Sequence, residues 1–187
     1  MEVQDLIIDY STAKNQDDYS PIPEGTIVKV KFTIKKGDYN NEEHGWTDGL
    51  ATLGQSGAVY LNTINTVLTG EHKNKKIYHL IGLYSPKGPT YEEMGKSYIK
   101  AVLDSAYGLE PNDMSEEARK KRSKKRSELE GLVHLVEVKT THDHKGNLKN
   151  EIKKVITPND IRYHEAMGVK IEDDFDDELP WEEERYI

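Results

Sequence analysis

The sequence of 187 residues contains no cysteine. Without thiols the chain can form neither a disulfide framework nor a thiolate metal site. The hydrophobic fraction of 35% is modest but is enough for one small core. The length is typical of one domain with appendages, and nothing in the composition requires a cofactor.

Long apolar runs are also missing. No stretch approaches the roughly 20 apolar residues that a membrane-spanning helix needs. The first fourteen residues, MEVQDLIIDYSTAK, lack the basic region of a signal peptide, and their apolar patch is too short to be one. We therefore expect a cytoplasmic protein without a membrane partner.

Familiar catalytic motifs are absent as well. There is no Gly-rich phosphate loop of the Walker type, no nucleophile elbow and no HExxH pair. His142 and His144 flank Asp143, but no third ligand stands at a metal-binding spacing. We interpret these three residues as a polar turn, and we expect a protein that is neither an enzyme nor a metal-binding protein.

The negative charge is concentrated at one end. Residues 172–187 contain nine acids and one base, whereas residues 1–171 contain 25 of each, so the last segment holds the entire net charge of −8. Dense like charge keeps a chain extended, which predicts a disordered acidic tail. The neutral body, with its local basic patches, remains compatible with nucleic-acid binding despite the acidic pI.

Hydrophobic alternation predicts a mainly β domain. The longest alternating run, GTIVKVKFTIKKGDY, places apolar residues on one side of a strand and lysines on the other. Residues 40–49 predict a polar loop or a hairpin turn that carries Trp46. Five strands are expected in all, over residues 25–39, 58–68, 76–85, 132–142 and 148–157.

Helical segments are predicted between the third and fourth strands. Residues 90–107 carry apolar side chains at helical spacing, Ser115 begins a second helix, and Pro158 begins a short last one. The resulting organisation is a flexible N-terminal arm over 1–21, a domain over 22–168 with a helical insertion at about 90–130, and a disordered acidic tail over 169–187.

Three features of the sequence occur together. The tail segment DDFDDELPW, residues 173–181, is an acidic run that ends in Leu-Pro-Trp. Pro23-Glu24-Gly25 leads into the five-strand pattern, and residues 131–158 predict a strand, a Gly-Asn turn and a strand that ends in Thr-Pro. Together they resemble the single-stranded DNA-binding proteins of bacteria and bacteriophages. Six residues follow Trp181 here, whereas the bacterial proteins end at the hydrophobic residue.

The resemblance implies a five-stranded barrel of the oligonucleotide-binding (OB) fold, β with inserted α, with helices between strands 3 and 4. It implies a non-sequence-specific protein that coats and protects single-stranded DNA in replication, recombination or repair, in a bacterial or phage-infected cytoplasm. It further implies that the tail recruits replication or recombination proteins. The tail residues expected to bind these partners are Phe175, Asp176, Asp177, Leu179, Pro180 and Trp181.

Binding of single strands requires basic groups for the phosphates and aromatic faces for the bases. In OB barrels the loop between strands 1 and 2 and the adjacent sheet face are usual binding surfaces. Trp46 is the leading stacking candidate, because its polar neighbours offer little apolar surface to bury the indole; the alternative is that it caps one end of the barrel. The strongest basic cluster is 119–126, which is expected to bind phosphates or the acidic tail. The candidate DNA-binding residues are Lys29, Lys31, Lys35, Lys36, Tyr39, Trp46, Tyr60, Tyr78, Arg119, Lys120, Lys121, Arg122, Lys139 and Lys153.

Two other functions fit the same sequence. A β-barrel adaptor would use the basic cluster and the tail to bind proteins and would not need nucleic acid. A strand-annealing recombination protein would bind single strands and also pair complementary ones. The sequence leaves the oligomeric state open, so an oligomer fits as well as a monomer. A metal-dependent nuclease ranks last.

Overall fold

A computed structural model describes residues 9–12 and 20–168. The predicted N-terminal arm therefore lies mostly outside the described residues, and the predicted tail lies entirely outside them. No helix in the described part of the chain is long and apolar enough to cross a bilayer.

The domain is mainly β, with seven strands and three α-helices among the described residues. The strands are β1 (Ile27–Lys35), β2 (Tyr39–Asn41), β3 (Trp46–Leu53), β4 (Val59–Val67), β5 (Lys76–Tyr84), β6 (Val133–His142) and β7 (Leu148–Ile156). The helices are α1 (Thr90–Tyr107), α2 (Glu116–Arg122) and α3 (Tyr163–Gly168), and two short 3-10 helices span Glu42–His44 and Arg126–Leu129.

The strands form one antiparallel sheet that curls into a half-barrel. β1 is central, pairing with β4 along one edge and with β6 along the other. β5 pairs with the far edge of β4, and β7 pairs with β6. Among the described residues no ladder joins β5 to β7, so the sheet is open between these two strands.

The strand count differs from the five expected, because the two arms of a hairpin over residues 39–53 are themselves strands; of the two alternatives for residues 40–49, the hairpin turn is the one that forms. Asn41 caps the 3-10 helix at its tip, and Gly45 ends that helix with a left-handed φ of 68°. Trp46 then begins β3, which pairs with the start of β4 at Thr52 and Tyr60. Hairpin formation here depends on burial of Trp46, which its polar neighbours in the sequence do not indicate.

The core lies inside the curl. The inward residues of β1 include Phe32, which is fully buried with Leu61 of β4 and with Val102 and Leu103 of α1. Complete burial of each such side chain contributes roughly 1.5–3 kcal/mol to folding. α1 packs on β5, β6 and β7, so it covers one end of the half-barrel and the corresponding end of the open seam.

Helix α3 covers part of the outer side of the sheet. Its Tyr163 packs on Leu135 of β6 and Ile156 of β7. The prediction that Lys29 is exposed is therefore wrong: Lys29 is only 6% exposed, and its ammonium donates a hydrogen bond of 2.7 Å to the carbonyl of Met167. Burial lowers the pKa of Lys29. Its role in the fold is to hold the end of α3.

His134 is a buried ionisable group in the core, and it predicts a pH-dependent stability. Complete burial lowers its pKa to about 3, from about 6.5. The unfolded chain therefore binds a proton below pH 6.5 that the folded chain does not, and stability falls as the pH falls. We expect a loss of about 2 kcal/mol between pH 7.5 and pH 5 from this residue, measured by urea unfolding at each pH.

The variant His134→Leu should lose this dependence. Between pH 6 and pH 5 its free energy of unfolding should change less steeply than that of the wild type, by about 1.4 kcal/mol per pH unit. Burial also lowers the pKa of His79, so a smaller slope remains. The exposed His142→Gln is the matched control and should keep the full slope. Equal slopes for wild type and His134→Leu would contradict the assignment.

Candidate nucleic-acid interface

The outer side of β1, β4 and β5 carries exposed side chains among half-buried ones. The strand register places three rows of side chains across it, because directly paired residues project from the same face. We call this surface the basic face. Its rows are Lys31–Thr66–Lys76, Thr33–Ile64–Tyr78 and Lys35–Asn62–Leu80.

The basic face carries positive charge without acidic neighbours in its own rows. Lys31, Lys35 and Lys76 are exposed, and none of the nine positions is Asp or Glu. Within the described ranges, these three lysines form no ion pair. Lys36, the next residue after β1, is also exposed. The charge is therefore available to an external anion.

The basic face also presents flat apolar area. Tyr78 is 61% exposed and Leu80 is 50% exposed, which is unusual for large apolar side chains in mid-strand. Ile64 is half-buried beside Tyr78 in the adjacent strand. An exposed aromatic ring between lysines is the arrangement that stacks a base while the phosphates are held nearby.

Trp46, the leading stacking candidate from the sequence, does not have an exposed indole. It is 6% exposed and packs with Ala51 and Val59. The His44 ring stacks on its indole at a centroid distance of 4.5 Å and an interplanar angle of 13°. The expectation of exposure was wrong because aromatic partners from other elements cover this side chain.

Tyr39 and Tyr60, which were predicted to bind DNA, are half-buried and lie against other parts of the fold. Tyr39 contacts Trp46, with ring centroids 6.2 Å apart. Tyr60 pairs with Gly82 at the end of the basic face where Tyr91 of α1 packs on that glycine. Tyr78 is thus the most exposed aromatic residue of the three.

The basic cluster 119–126 does not act as one surface. The Arg122 side chain is only 12% exposed, and its Nε donates a hydrogen bond of 2.6 Å to Asp104, which is 1% exposed. Lys121 pairs with Glu117 at 2.9 Å. Arg119 and Lys120 are exposed on α2 and form no ion pair within the described chain. The expectation that all of these bases are available to phosphates is wrong for Arg122.

Lys139 and Lys153 lie near the open edge of the sheet and have acidic partners. Lys153 pairs at 3.0 Å with Glu137, which also accepts a hydrogen bond from Arg162. Lys139 pairs at 3.1 Å with Glu151. To bind a phosphate, each of these lysines would have to release its carboxylate partner or contact both anions at once.

A cleft of about 640 Å³ lies between β5 and β7, and we call it the β5–β7 cleft. It adjoins the basic face, because β5 contributes residues to both surfaces. Its lining residues are Lys76, Tyr78, His79, Leu80, Lys139, Lys149, Asn150, Glu151 and Ile152.

The turn between β6 and β7 is polar, as predicted. Asp143 accepts hydrogen bonds from the backbone N–H groups of Lys145 and Asn147 at 2.8 and 2.9 Å. These bonds lower the pKa of Asp143. In the described part of the chain, no group of three or more His, Asp or Glu side chains is placed to hold a metal ion.

The tail residues predicted to bind partners, Phe175, Asp176, Asp177, Leu179, Pro180 and Trp181, lie outside the described residues. Sequence reasoning missed Lys76 and Leu80 as site residues. The period-2 pattern of KIYHLIGLY places both on the side of Tyr78, and this signal would have identified them.

Known proteins do not assign this chain to a family. No protein-family model matches the chain, and no curated protein matches its sequence. Among solved structures, a chain described as yeast RPA bound to ssDNA is similar over 89% of this chain and 95% of that one. The sequence identity is 9% and the TM-score is 0.28. A TM-score of this size supports no conclusion about function.

Proposed function

We propose that this chain is a non-catalytic, non-sequence-specific single-stranded DNA-binding protein. It coats exposed single strands during replication, recombination or repair. The observation that carries the proposal is the basic face, where three lysines that form no ion pair within the described residues share one side of the sheet with the exposed Tyr78. Such a surface binds phosphates by charge and bases by stacking, and neither contact depends on sequence.

We also propose that the fold is OB-like. Five of the strands lie in the spatial order β5–β4–β1–β6–β7, and α1 connects β5 to β6. That order supports an OB barrel that is open at one seam, with β2 and β3 as an added hairpin in the first connection. On this interpretation the basic face includes the strands that OB domains use to bind oligonucleotides.

The proposal predicts salt-dependent binding to oligo-dT. Lys31→Ala with Lys76→Ala removes two phosphate contacts, so the slope of log K against log salt should shallow by roughly 1.4. Tyr78→Ala removes one stacking platform and should weaken binding by about 1–3 kcal/mol. Fluorescence anisotropy of labelled dT20 over a salt series measures both effects.

The matched control is Lys87→Ala with Lys96→Ala. It removes the same charge from exposed positions outside the basic face, and it should leave the slope nearly unchanged. If the wild-type chain does not bind dT20 at low salt, the proposal fails and the adaptor function becomes the better explanation. Equal losses in the two double variants would show that binding depends on general charge rather than on this face.

We further propose that the acidic tail recruits partner proteins through Phe175, Leu179 and Trp181. The support is the sequence alone: apolar side chains are spaced within a run of carboxylates, as in a docking peptide. Replacing the three by Ala should leave dT20 binding intact and abolish co-purification of replication or recombination enzymes from the native host. Loss of dT20 binding in that variant would contradict the separation of roles.

A further inference from the structure

The β5–β7 cleft differs from the basic face in shape and charge. Both of its long sides are sheet edges, and α1 covers one end, where Tyr98 stacks on His79 at a centroid distance of 4.3 Å. The other end is open toward the basic face. A volume of about 640 Å³ lies within the range of pockets that hold small organic ligands.

The cleft combines apolar walls with a small charged cluster. Leu80 of β5 is 50% exposed and supplies apolar surface on one side, whereas Ile152 of β7 is only 6% exposed and belongs to the core. Glu151 bridges two lysines, with 3.1 Å to the ammonium of Lys139 and 2.8 Å to that of Lys149. The bond to Glu151 raises the pKa of Lys149, and the two lysines together lower the pKa of Glu151. Glu151 alone is ion-paired with both lysines within the described residues, and Asp143 in the neighbouring turn also raises the pKa of Lys149.

Three residues connect this cleft to the basic face. Lys76, Tyr78 and Leu80 line the cleft and also belong to the rows of the face. Tyr78 lies on the ridge between the two surfaces. A strand held on the basic face by Tyr78 would therefore lie next to the cleft.

We propose that the β5–β7 cleft is a nucleotide subsite that extends the basic face, with Glu151 as an internal competitor for the DNA phosphate. This proposal rests on the proposed function. A base packs against Leu80, and its phosphate displaces Glu151 from Lys139 and Lys149. Positive charge, the exposed Leu80 surface and continuity with the basic face favour a nucleotide over a neutral ligand.

The sharpest test is Glu151→Gln, which keeps the side-chain shape and frees both lysines. We expect the affinity for labelled dT20 to rise about threefold to tenfold, with a salt slope steeper by roughly 1. A gain of affinity is a useful readout, because misfolding would not produce it. The triple variant Lys139→Ala, Lys149→Ala, Glu151→Gln removes the cluster and should bind more weakly than wild type by about tenfold.

The matched control is Glu92→Gln, which removes one carboxylate paired with Lys96 on α1, outside the basic face, and so changes the net charge equally. An equal gain in both variants would show a general charge effect and overturn the subsite. An unchanged affinity in Glu151→Gln, with the basic-face variants weakened, would overturn the subsite and keep the proposed function. Absence of wild-type binding would instead overturn the proposed function.

An acidic peptide is the competing occupant. A labelled synthetic peptide of residues 169–187 serves as the second probe, with the same variants. If Glu151→Gln tightens binding of the peptide but not of dT20, the cleft is a peptide site and the nucleotide proposal is wrong. Tighter binding of dT20, with little change for the peptide, supports it.

Discussion

Replacing Arg122 by Ala should destabilise the fold by about 3 kcal/mol, although Arg122 belongs to the most basic segment of the sequence. Its guanidinium pairs with the buried carboxylate of Asp104 and donates hydrogen bonds to the carbonyls of Glu110 and Asp113. Its removal leaves Asp104 with Lys100 as the remaining ionic partner, at 2.7 Å. A buried charge that loses a partner costs far more than an exposed one.

Urea unfolding at pH 7 measures this effect, and Arg119→Ala is the control. Arg119 has the same charge and lies on the same helix, but it is exposed, so its replacement should change stability by less than about 0.5 kcal/mol. A similar small effect for Arg122→Ala would show that the Asp104 pair contributes little. Weaker dT20 binding by folded Arg122→Ala would show that Arg122 also contributes to DNA binding.

Gly95→Ala should destabilise the protein by about 3 kcal/mol, because α1 approaches β5 too closely for a side chain. A Cβ atom at Gly95 would lie less than 3.0 Å from the backbone of Gly82, and one at Gly82 would similarly overlap Tyr91. Helix propensity alone predicts the opposite, a gain of about 1 kcal/mol, since Gly is a poor residue for the middle of a helix. The sign of the measured stability change therefore shows whether the close contact with Gly82 or helix propensity dominates at Gly95.

Thermal and urea unfolding of Gly95→Ala measure the change, and Ser97→Ala is the control on the exposed side of the same helix. That control should be neutral or slightly stabilising, because Ala is the better helix former. A stabilised Gly95→Ala would mean that α1 does not pack against β5 as closely as described. Loss of stability in both variants would indicate that α1 tolerates no substitution, whatever the contact with Gly82.

The strands were the most predictable part of the molecule, because alternation is a local signal. The predicted first strand, 25–39, contains β1, and the pattern correctly placed Lys31 and Lys35 opposite the core. The same pattern put Lys29 on that outer side, which is also correct. Its burial could not be predicted, because the cover comes from α3, more than 130 residues later in the chain.

The site residues were harder to predict, because exposure depends on partners far away in sequence. Trp46 has polar neighbours in the sequence, yet Val59 and Tyr84 reach it through the fold. Arg122 sits in a run of bases, yet its partner Asp104 lies in another helix. Tyr78 shows the opposite case: the alternation of its strand places it on the outer side, and no element in the described part of the chain covers it.

The open seam between β5 and β7 has a consequence for association as well. A sheet edge with unpaired backbone groups is a template for pairing with another chain, and natural proteins protect such edges with charged side chains, most often lysine. Lys76 on β5 and Lys149 and Lys153 on β7 provide this protection. Replacing Lys76 and Lys149 by residues of high β propensity, such as Val, should therefore favour edge-to-edge self-association even where DNA is absent.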